Sequence, residues 1–460
     1  MEKIYYNEIA KLFNNQTIEN DFFISNISTD TRKDCSNSLF FALIGENFDG
    51  HNFVINAINQ GAKICVVNHS FKNIINQNSS LSSFKYFLFV DDTIKALGKL
   101  ANYYKKKFNI LTIGITGSNG KTTTRNLLFS IFSLVKKTIT SIKNFNNAIG
   151  LPLSIFNINS ETEVGIFELG MNHLGEIFYL ADIIELDSAI ITSVFPSHLE
   201  GLGSLENVIK AKSEILQNLK EKIAFLNGDN ENVLKTLNYA PSDLKIIKYG
   251  ITDSYYPVEI LTNKNGYYEF KFCDTIIKLN IIGEHNLLNS IGAATIAKYY
   301  GISDDVIKTA LENYKSADKR SEIFERNGII FYVDCYNSNP GSAQFALKTL
   351  NSFDVKGNIF IVFGDMLELG EFSTQLHLNM TTYLEQVKKL KFLFLVGNEI
   401  KVIYDNFKST NVNLFLYDKS DDSIKKICEK LNNELKENDL LFIKGSRGIK
   451  LERIFDYLKF

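Results

Sequence analysis

Long apolar segments, paired cysteines and an excess of charge of either sign are all missing from this sequence of 460 residues. The five cysteines lie far apart and form no Cys-x-x-Cys pair, so the sequence predicts neither a disulfide framework nor a zinc site. We therefore expect a cytoplasmic protein. The first residues lack the continuous apolar core of a secretory signal, and no segment reaches the ~20 apolar residues of a membrane span, so we expect no membrane insertion.

The charge balance limits the possible partners. The 50 basic and 52 acidic residues nearly cancel, which leaves no basic excess of the kind that nucleic-acid-binding proteins carry. We expect no nucleic-acid partner, and any anion must be bound by a local group of residues. The length exceeds that of a single compact domain and predicts about three domains.

Two series of short β-branched or aromatic runs, separated by helical patterns, predict two α/β domains with mostly parallel sheets. The first series contains LTIGIT, VGIFELG, SAIITSV and KIAFLNGD, and the second contains GIIFYVD, NIFIVFGD, KFLFLVG and DLLFIKGS. The first hundred residues differ in pattern and predict a separate small α/β domain. The segment LENYKSADKRSEIF shows no apolar strand and is interpreted as the connection to the last domain. The predicted domains are residues 1–91, 92–316 and 317–460.

The strongest single signal is the segment TGSNGKTT, which follows a predicted strand and opens a predicted helix. Glycines let backbone N–H groups turn towards phosphate oxygens, and the start of a helix adds its positive dipole end. Lys121 supplies a positive charge and the Thr122 hydroxyl can bind Mg²⁺. The strict phosphate-loop pattern has glycine at the position of Ile115, so the match is to a variant, and an ordinary glycine turn before a helix is the structural alternative. The predicted ATP-binding residues of this segment are Thr116, Gly117, Ser118, Asn119, Gly120, Lys121, Thr122 and Thr123.

The loop is the first of several spaced motifs, and together they resemble the Mur ligase family. After it come NFNNAIGLP, ELGM from Glu168, and His198, and then GEHNLLN, DCYNSNP, GDMLELG and KGSR in the same order. The later motifs are similar to those of the members that ligate D-alanyl-D-alanine. The resemblance implies a small N-terminal α/β domain for a UDP-sugar, a central P-loop ATPase, and a C-terminal Rossmann-like domain that closes over ATP and binds the dipeptide.

The resemblance also implies a reaction, which is the ATP-dependent ligation of D-alanyl-D-alanine to UDP-N-acetylmuramoyl-tripeptide through an acyl phosphate. TDTR and FDGH are similar to the N-terminal motifs of the two later ligases of that pathway, and the Asp-Asn-Pro-Arg motif of the lysine- or diaminopimelate-adding ligase is absent. Three alternatives stay open: that tripeptide-forming ligase, a folate-type polyglutamate ligase, and a nucleotide-binding protein that does not ligate. We expect a monomer.

Metal-binding residues are expected around the loop. Mg²⁺ prefers hard oxygen ligands, so Thr122 and Glu168 are its expected protein ligands. By resemblance, His198 completes a second metal position, and Lys212 matches the lysine that reacts with CO₂ in the family, so that its carbamate would be a further ligand. The structural alternatives are a helix cap for Thr122, a surface salt-bridge partner for Glu168 and a structural role for His198. From the residues alone, Lys210 and Lys212 are two solvated helix lysines. The expected catalytic residues are Lys121, His198 and Lys212.

The resemblance also assigns the remaining binding residues. The residues expected to bind adenine, ribose or phosphate are Asn286, Asn289, Arg320 and Asp334, with a helix cap as the alternative for the two asparagines. The residues expected to bind the sugar, the peptide or the dipeptide are Thr31, Arg32, Asp49, His51, Asn147, Asn337 and Asn339.

The sequence departs from the family pattern at one place, TSVFPSH at residues 192–198, because the family usually has an asparagine and glycines before the histidine. Ser193 replaces a side chain that often bonds loop or nucleotide groups, and Pro196 removes a backbone donor.

Overall fold

The computed structural model describes residues 1–45, 48–316 and 319–459, and the chain forms three successive α/β units, each built on a sheet that is parallel or mostly parallel. The predicted fold class is confirmed. The first predicted domain boundary falls just before a helix that starts at Thr93. The second lies between residues 316 and 317, and residue 317 is outside the described residues, so both boundaries stay predictions. Within the described ranges, no helix is long and apolar enough to cross a membrane.

The N-terminal unit is built on a sheet of four parallel strands in the order β3-β4-β7-β8. The residues of β4 are all buried, as are most of those of β7, because helices and connecting segments cover both faces of this sheet. The elements are β1 (Ile4–Tyr5), α1 (Tyr6–Leu12), β2 (Phe23–Ile24), β3 (Asn26–Ser28), β4 (Ser38–Phe41), β5 (Ile44–Gly45), β6 (Phe48–Asp49), α2 (Val54–Asn59), β7 (Ile64–Asn68), α3 (Lys72–Gln77), α4 (Ser79–Ser82) and β8 (Phe87–Val90).

The central unit has a parallel six-stranded sheet in the order β10-β11-β9-β12-β13-β14. Strand β9 lies between β11 and β12, so the chain segments that leave these three strands meet at one edge of the sheet, where open α/β sheets bind ligands. The elements are α5 (Thr93–Lys105), β9 (Leu111–Thr116), α6 (Lys121–Phe132), β10 (Thr138–Thr140), α7 (Gly150–Ile155), β11 (Val164–Glu168), α8 (Glu176–Ile184), β12 (Ser188–Ile191), α9 (Leu199–Leu202), α10 (Leu205–Ser213), β13 (Ile223–Asn227), α11 (Glu231–Leu234) and β14 (Lys245–Tyr249).

An antiparallel three-stranded sheet follows, which the sequence patterns did not reveal. Its first strand is largely exposed, so it has no continuous apolar run. The two helices after it pack their buried faces against α6, which closes the central unit on that side. The elements are β15 (Val258–Lys264), β16 (Tyr267–Phe272), β17 (Thr275–Ile282), α12 (Glu284–Tyr299) and α13 (Asp304–Asn313).

The C-terminal unit has a six-stranded sheet in the order β18-β19-β23-β20-β21-β22, and only β18 is antiparallel to its neighbour. The expectation that LENYKSADKRSEIF contains no strand was wrong, because its last residues belong to β18, an edge strand whose charged residues stay exposed. The elements are β18 (Glu322–Arg326), β19 (Ile329–Asp334), α14 (Pro340–Leu350), β20 (Ile359–Gly364), α15 (Ser373–Glu385), β21 (Leu390–Val396), α16 (Lys401–Asn406), β22 (Asn413–Tyr417), α17 (Asp421–Glu434) and β23 (Leu440–Lys444).

Candidate active site

A cavity of about 810 Å³ lies where the carboxyl edge of the central sheet faces the C-terminal unit. This volume is within the range of small-molecule binding sites. Its walls are the phosphate loop between β9 and α6, the ends of β11 and β19, the start of α12, and the loops before α14 and after β20. The predicted ATP-binding residues from Ser118 to Thr123 lie in this wall, whereas Thr116 and Gly117 lie beneath it, at the end of β9.

The phosphate loop turns tightly into α6. Gly120 has a φ of 84° and is the residue before the helix, and a Cβ there would overlap the Asn289 side-chain oxygen. The first helical residue is Lys121, whose ammonium donates to the Gly117 carbonyl oxygen at 2.6 Å. Burial, together with the nearby Arg320, holds the pKa of Lys121 below its usual value, although Glu168 acts in the opposite direction. The loop therefore has a lysine charge fixed over its own backbone.

The segment at residues 192–198 forms hydrogen bonds with the phosphate loop. Ser118 Oγ donates to the Phe195 carbonyl oxygen at 2.9 Å and accepts the Phe195 N–H at 3.0 Å. Ser193 Oγ accepts the Asn119 N–H at 3.0 Å. A third hydroxyl, that of Ser197, lies 3.0 Å from Ser118 Oγ. The departure from the family pattern thus still supplies a side chain that bonds the loop.

Glu168 ends β11 and is almost completely buried beside the loop. Its Oε2 accepts the Thr122 hydroxyl at 2.9 Å, and its Oε1 accepts the Asn146 amide at 3.0 Å. Arg125 Nη1 lies 3.6 Å from Oε2, and this arginine is buried too. The alternatives of a surface salt bridge for Glu168 and a helix cap for Thr122 are therefore wrong, since the residue that precedes α6 is Gly120.

Sequence reasoning missed Arg125. It lies four residues after Lys121 on α6, so both side chains are on the same helix face. Its guanidinium donates to the Lys143 carbonyl oxygen and, at 2.9 Å, to Asn126 Oδ1. The i, i+4 spacing from the phosphate-loop lysine was the available signal. Arg125 adds positive charge directly behind the carboxylate of Glu168.

Lys212 lies on α10 in the cavity wall and is only 1% exposed. The interpretation as a solvated lysine is therefore wrong for Lys212, although it holds for its exposed neighbour Lys210. No acceptor for the Lys212 ammonium is found within the described part of the chain, and the positive charge of Lys121 is nearby. Burial and that charge hold the pKa of Lys212 well below its usual value.

His198 has a left-handed backbone, with a φ of 53°, and its Nδ1 lies 2.9 Å from Oε2 of Glu368. Glu368 belongs to the C-terminal unit, in the loop after β20, and sequence reasoning did not connect the two residues. The histidine lowers the pKa of this carboxyl. No three His, Cys, Asp or Glu side chains cluster as metal ligands in the ranges that the structure describes. A Mg²⁺ ion at Glu168 would therefore take further oxygens from Thr122, water and phosphate, which is its usual preference.

Arg320 and Asp334 enter the cavity from the C-terminal unit. The Arg320 guanidinium stacks on the Tyr336 ring at 3.8 Å. Asp334 accepts the Ser321 N–H at 3.1 Å, and its other oxygen lies 2.6 Å from the ammonium of the fully buried Lys444. The structure therefore brings both predicted residues to the cavity wall, with Lys444 fixing the direction of the Asp334 carboxylate.

All the predicted asparagines line the cavity as well. Asn147 accepts the N–H of Gly150 at 2.8 Å at the start of α7, and Asn337 accepts its neighbour's N–H at 2.9 Å. Asn286 donates to the Ile282 carbonyl oxygen at 2.8 Å from within α12. The helix-cap alternative for Asn286 and Asn289 is wrong, because α12 begins at Glu284 and both asparagines lie inside it.

The residues predicted to bind the sugar lie away from this cavity, in the N-terminal unit. Arg32 is exposed and pairs with Asp30 at 2.9 Å, and the Thr31 carbonyl oxygen accepts a side-chain N–H from Gln60. His51 is buried and uses both ring nitrogens, since Nδ1 lies 2.7 Å from Asp49 and Nε2 accepts the Asn68 N–H. Among these four residues, Arg32 and Asp49 expose a large part of their side chains. Their role in binding stays a prediction.

The burial of His285 in the same cavity wall leads us to predict that the stability of the protein depends on pH. Its Nδ1 is buried without a partner among the described residues, its Nε2 lies 3.1 Å from Ser321 Oγ, and burial lowers its pKa to about 4. The unfolded chain takes up this proton near pH 6.5, so stability falls from pH 6.5 down to pH 4 and loses about 2 kcal/mol at pH 5.

Thermal unfolding at pH 7.5 and pH 5 checks this for the wild-type protein and His285→Gln. We expect the wild-type protein to lose more of its free energy of unfolding than the variant between the two pH values. Equal losses would show that His285 does not contribute.

Comparisons with known proteins match most of the chain. The chain matches the family models described as Mur ligase family, catalytic domain (residues 23–105), Mur ligase middle domain (115–297) and Mur ligase, glutamate ligase domain (319–447). It is 31% identical to the Bacillus subtilis UDP-N-acetylmuramoyl-tripeptide--D-alanyl-D-alanine ligase, over 94% of this chain and 92% of the relative.

Two solved structures are similar as well. MurF from Acinetobacter baumannii has a TM-score of 0.87 and 26% sequence identity, over 99% of this chain and 98% of that one. MurF ligase from Thermotoga maritima, solved in complex with ADP, has a TM-score of 0.81 and 25% identity, over 94% and 96% of the two chains.

Proposed function

The chain belongs to the Mur ligase family, and on that basis we propose that it joins D-alanyl-D-alanine to UDP-N-acetylmuramoyl-tripeptide with ATP, forming a peptide bond. The observation that supports this most directly is the cavity between the central and C-terminal units, which collects the phosphate loop, Glu168, Lys212 and Arg320 in one wall. The products are the UDP-linked pentapeptide, ADP and phosphate.

In this proposal ATP binds with its phosphates on the loop. The backbone N–H groups at the start of α6 and the Lys121 ammonium face the phosphate oxygens, so the anion is neutralised by groups that are already in position. Arg320 reaches the nucleotide from the C-terminal unit, while Asn286 and Asp334 bind adenine or ribose. Because these contacts come from two units, the nucleotide is enclosed when the C-terminal unit closes, which excludes water from the reacting atoms.

The residues present fit a magnesium ion beside the γ-phosphate. Thr122 and Glu168 offer hard oxygen ligands next to the loop, and the Thr122 hydroxyl already points at the carboxylate. When bound, Mg²⁺ would neutralise charge on the phosphates during transfer. A second metal position would use His198 and a carbamate on Lys212, whose buried ammonium has no acceptor among the residues that the structure describes.

The reaction then has two steps. An oxygen of the tripeptide's terminal carboxylate attacks the γ-phosphorus, and the bond to the bridging oxygen breaks so that ADP leaves. The amine of D-alanyl-D-alanine attacks the carbonyl carbon of the acyl phosphate, phosphate leaves, and the nitrogen loses its proton. Phosphoryl transfer depends mainly on positioning and charge neutralisation, and Lys121 and Arg320 supply both.

Three groups of residues are assigned to the other substrates. Thr31, Arg32, Asp49 and His51 would hold the UDP-sugar, Asn147 the peptide, and Asn337 the incoming dipeptide. These N-terminal residues lie outside the cavity wall, which agrees with a long substrate, because a UDP-sugar and its peptide would have to connect the two places.

The test is phosphate release from ATP. With UDP-N-acetylmuramoyl-tripeptide we expect release only when D-alanyl-D-alanine is present. The comparison reaction offers lysine or diaminopimelate with UDP-N-acetylmuramoyl-dipeptide and should give none. Release only with a diamino acid would instead identify a tripeptide-forming ligase, and ATP binding without release under any condition would contradict ligation altogether.

A further inference from the structure

The phosphate loop and the C-terminal unit share a reciprocal amide pair. Asn119 Nδ2 donates to Asn339 Oδ1 at 3.0 Å, and Asn339 Nδ2 donates to Asn119 Oδ1 at 2.8 Å. The two residues are 220 positions apart in the sequence. Asn119 lies in the turn that faces the cavity, and Asn339 is the residue immediately before α14. The pair therefore joins the nucleotide-binding turn directly to the unit that encloses the nucleotide.

The Asn339 amide is held in place by its own helix. Its Oδ1 also accepts the Ser342 N–H at 2.9 Å, and its backbone N–H donates to the Ser342 hydroxyl at 3.0 Å, which is a capping box. Pro340 fixes the first helical residue. Because the capping bonds fix the orientation of the amide, its donor points at Asn119 without further loss of side-chain freedom. This use of the side chain differs from the dipeptide contact predicted from the sequence.

A second contact from the loop reaches the same helix. The Phe195 backbone is bonded to Ser118 in the loop, and its ring packs on Gly341, where a Cβ would lie only 2.5 Å from the ring. The Phe195 ring also meets Phe345 edge-on at 5.8 Å. Phe195 belongs to the segment that departs from the family pattern. The absence of a side chain at Gly341 is what lets α14 approach the loop this closely.

We propose that Asn339 is a positioning residue, which acts through Asn119 to couple the shape of the phosphate loop to closure of the C-terminal unit. This rests on the proposed use of ATP, but not on which amine is ligated. A loop arranged for phosphate presents the Asn119 amide to Asn339, and the Phe195 ring to Gly341, so α14 docks and brings Arg320 over the nucleotide. Loss of the amide pair leaves two polar groups unpaired in the closed form, which favours the open form.

The main test uses Asn339→Ser, because serine keeps the helix cap but cannot reach Asn119. We expect kcat/KM for ATP to fall about tenfold, which corresponds to one hydrogen-bonded pair, with no change in the thermal unfolding of the protein. Asn339→Asp is the matched variant, because aspartate keeps the size of the side chain and the helix cap of α14 but has no side-chain N–H to donate to Asn119. In an Asn119→Ser background, the Asn339→Ser change should have no further effect.

Closure itself is measured without ligation, by the distance between fluorescent labels on the central and C-terminal units upon addition of a non-hydrolysable ATP analogue. The analogue should shorten this distance more in the wild-type protein than in Asn339→Ser or Gly341→Ala. In Gly341→Ala the added methyl group pushes on Phe195. Equal closure in all three proteins, or an Asn339→Ser effect of the same size in the Asn119→Ser background, would overturn the proposal. A protein that closes on the analogue as expected but does not ligate D-alanyl-D-alanine would contradict the proposed function alone.

Discussion

Lys121→Ala should lower phosphate release from ATP by at least about a hundredfold, as removal of a single stabilising group from a transition state commonly does. The charge of this lysine is fixed by the bond to the Gly117 carbonyl oxygen at the start of α6, so it needs no rearrangement to meet the phosphates. Its lowered pKa reflects burial with another cation nearby, and an ATP polyanion would reverse that penalty.

Phosphate release at saturating ATP and both co-substrates gives the rate, and calorimetric titration with ADP gives the nucleotide affinity. We expect the rate to change far more than the affinity for ADP, because the γ-phosphate is absent there. Lys137→Ala removes an exposed lysine and serves as the control. If Lys121→Ala kept its rate and lost only affinity, the lysine would bind ground state and transition state equally, and the proposed role would be incorrect.

The part of the site that the sequence predicts is the part built from local patterns on parallel strands. The loop after β9 and Glu168 at the end of β11 each follow a strand, and neighbouring parallel strands end at the same edge. The structure adds the strand order, which pairs β9 with β11 and so brings Thr122 into contact with Glu168. The same reasoning fails for strands such as β15 and β18, whose exposed edge positions carry no apolar run.

The contacts that could not be predicted join residues that are distant in the sequence. Glu368 meets His198, and Asn339 meets Asn119, only because the C-terminal unit lies against the carboxyl edge of the central sheet. No local pattern encodes that placement. The burial of Lys212 belongs to the same class, since its helix has lysines at two nearby positions and only the packing of α10 distinguishes them.

Lys212→Ala should also abolish most phosphate release, whereas Lys210→Ala, two residues away on the exposed face, should leave it unchanged. A fully buried lysine near Lys121, with no acceptor among the described residues, is a costly arrangement for an ammonium. Its pKa is lowered in spite of the opposite effect of Glu214, and this lowering favours the neutral amine. The neutral amine is the form that bonds to the carbon of CO₂, and the nitrogen then loses a proton to solvent. The proposed carbamate would be an anion, so the repulsion of Lys121 would become attraction and the carbamate would offer an oxygen ligand to Mg²⁺.

Short-chain acids distinguish this explanation from a loss of packing. Acetate or propionate can enter the space that Lys212→Ala leaves and supply the missing carboxylate, so part of the rate should return with increasing acid, while Lys121→Ala should show no such recovery. Removal of CO₂ from the buffer should slow the wild-type enzyme, and bicarbonate should restore it. Wild-type rates for Lys212→Ala without any added acid would rule out carbamylation, because the repulsion between two buried cations would then have no catalytic consequence.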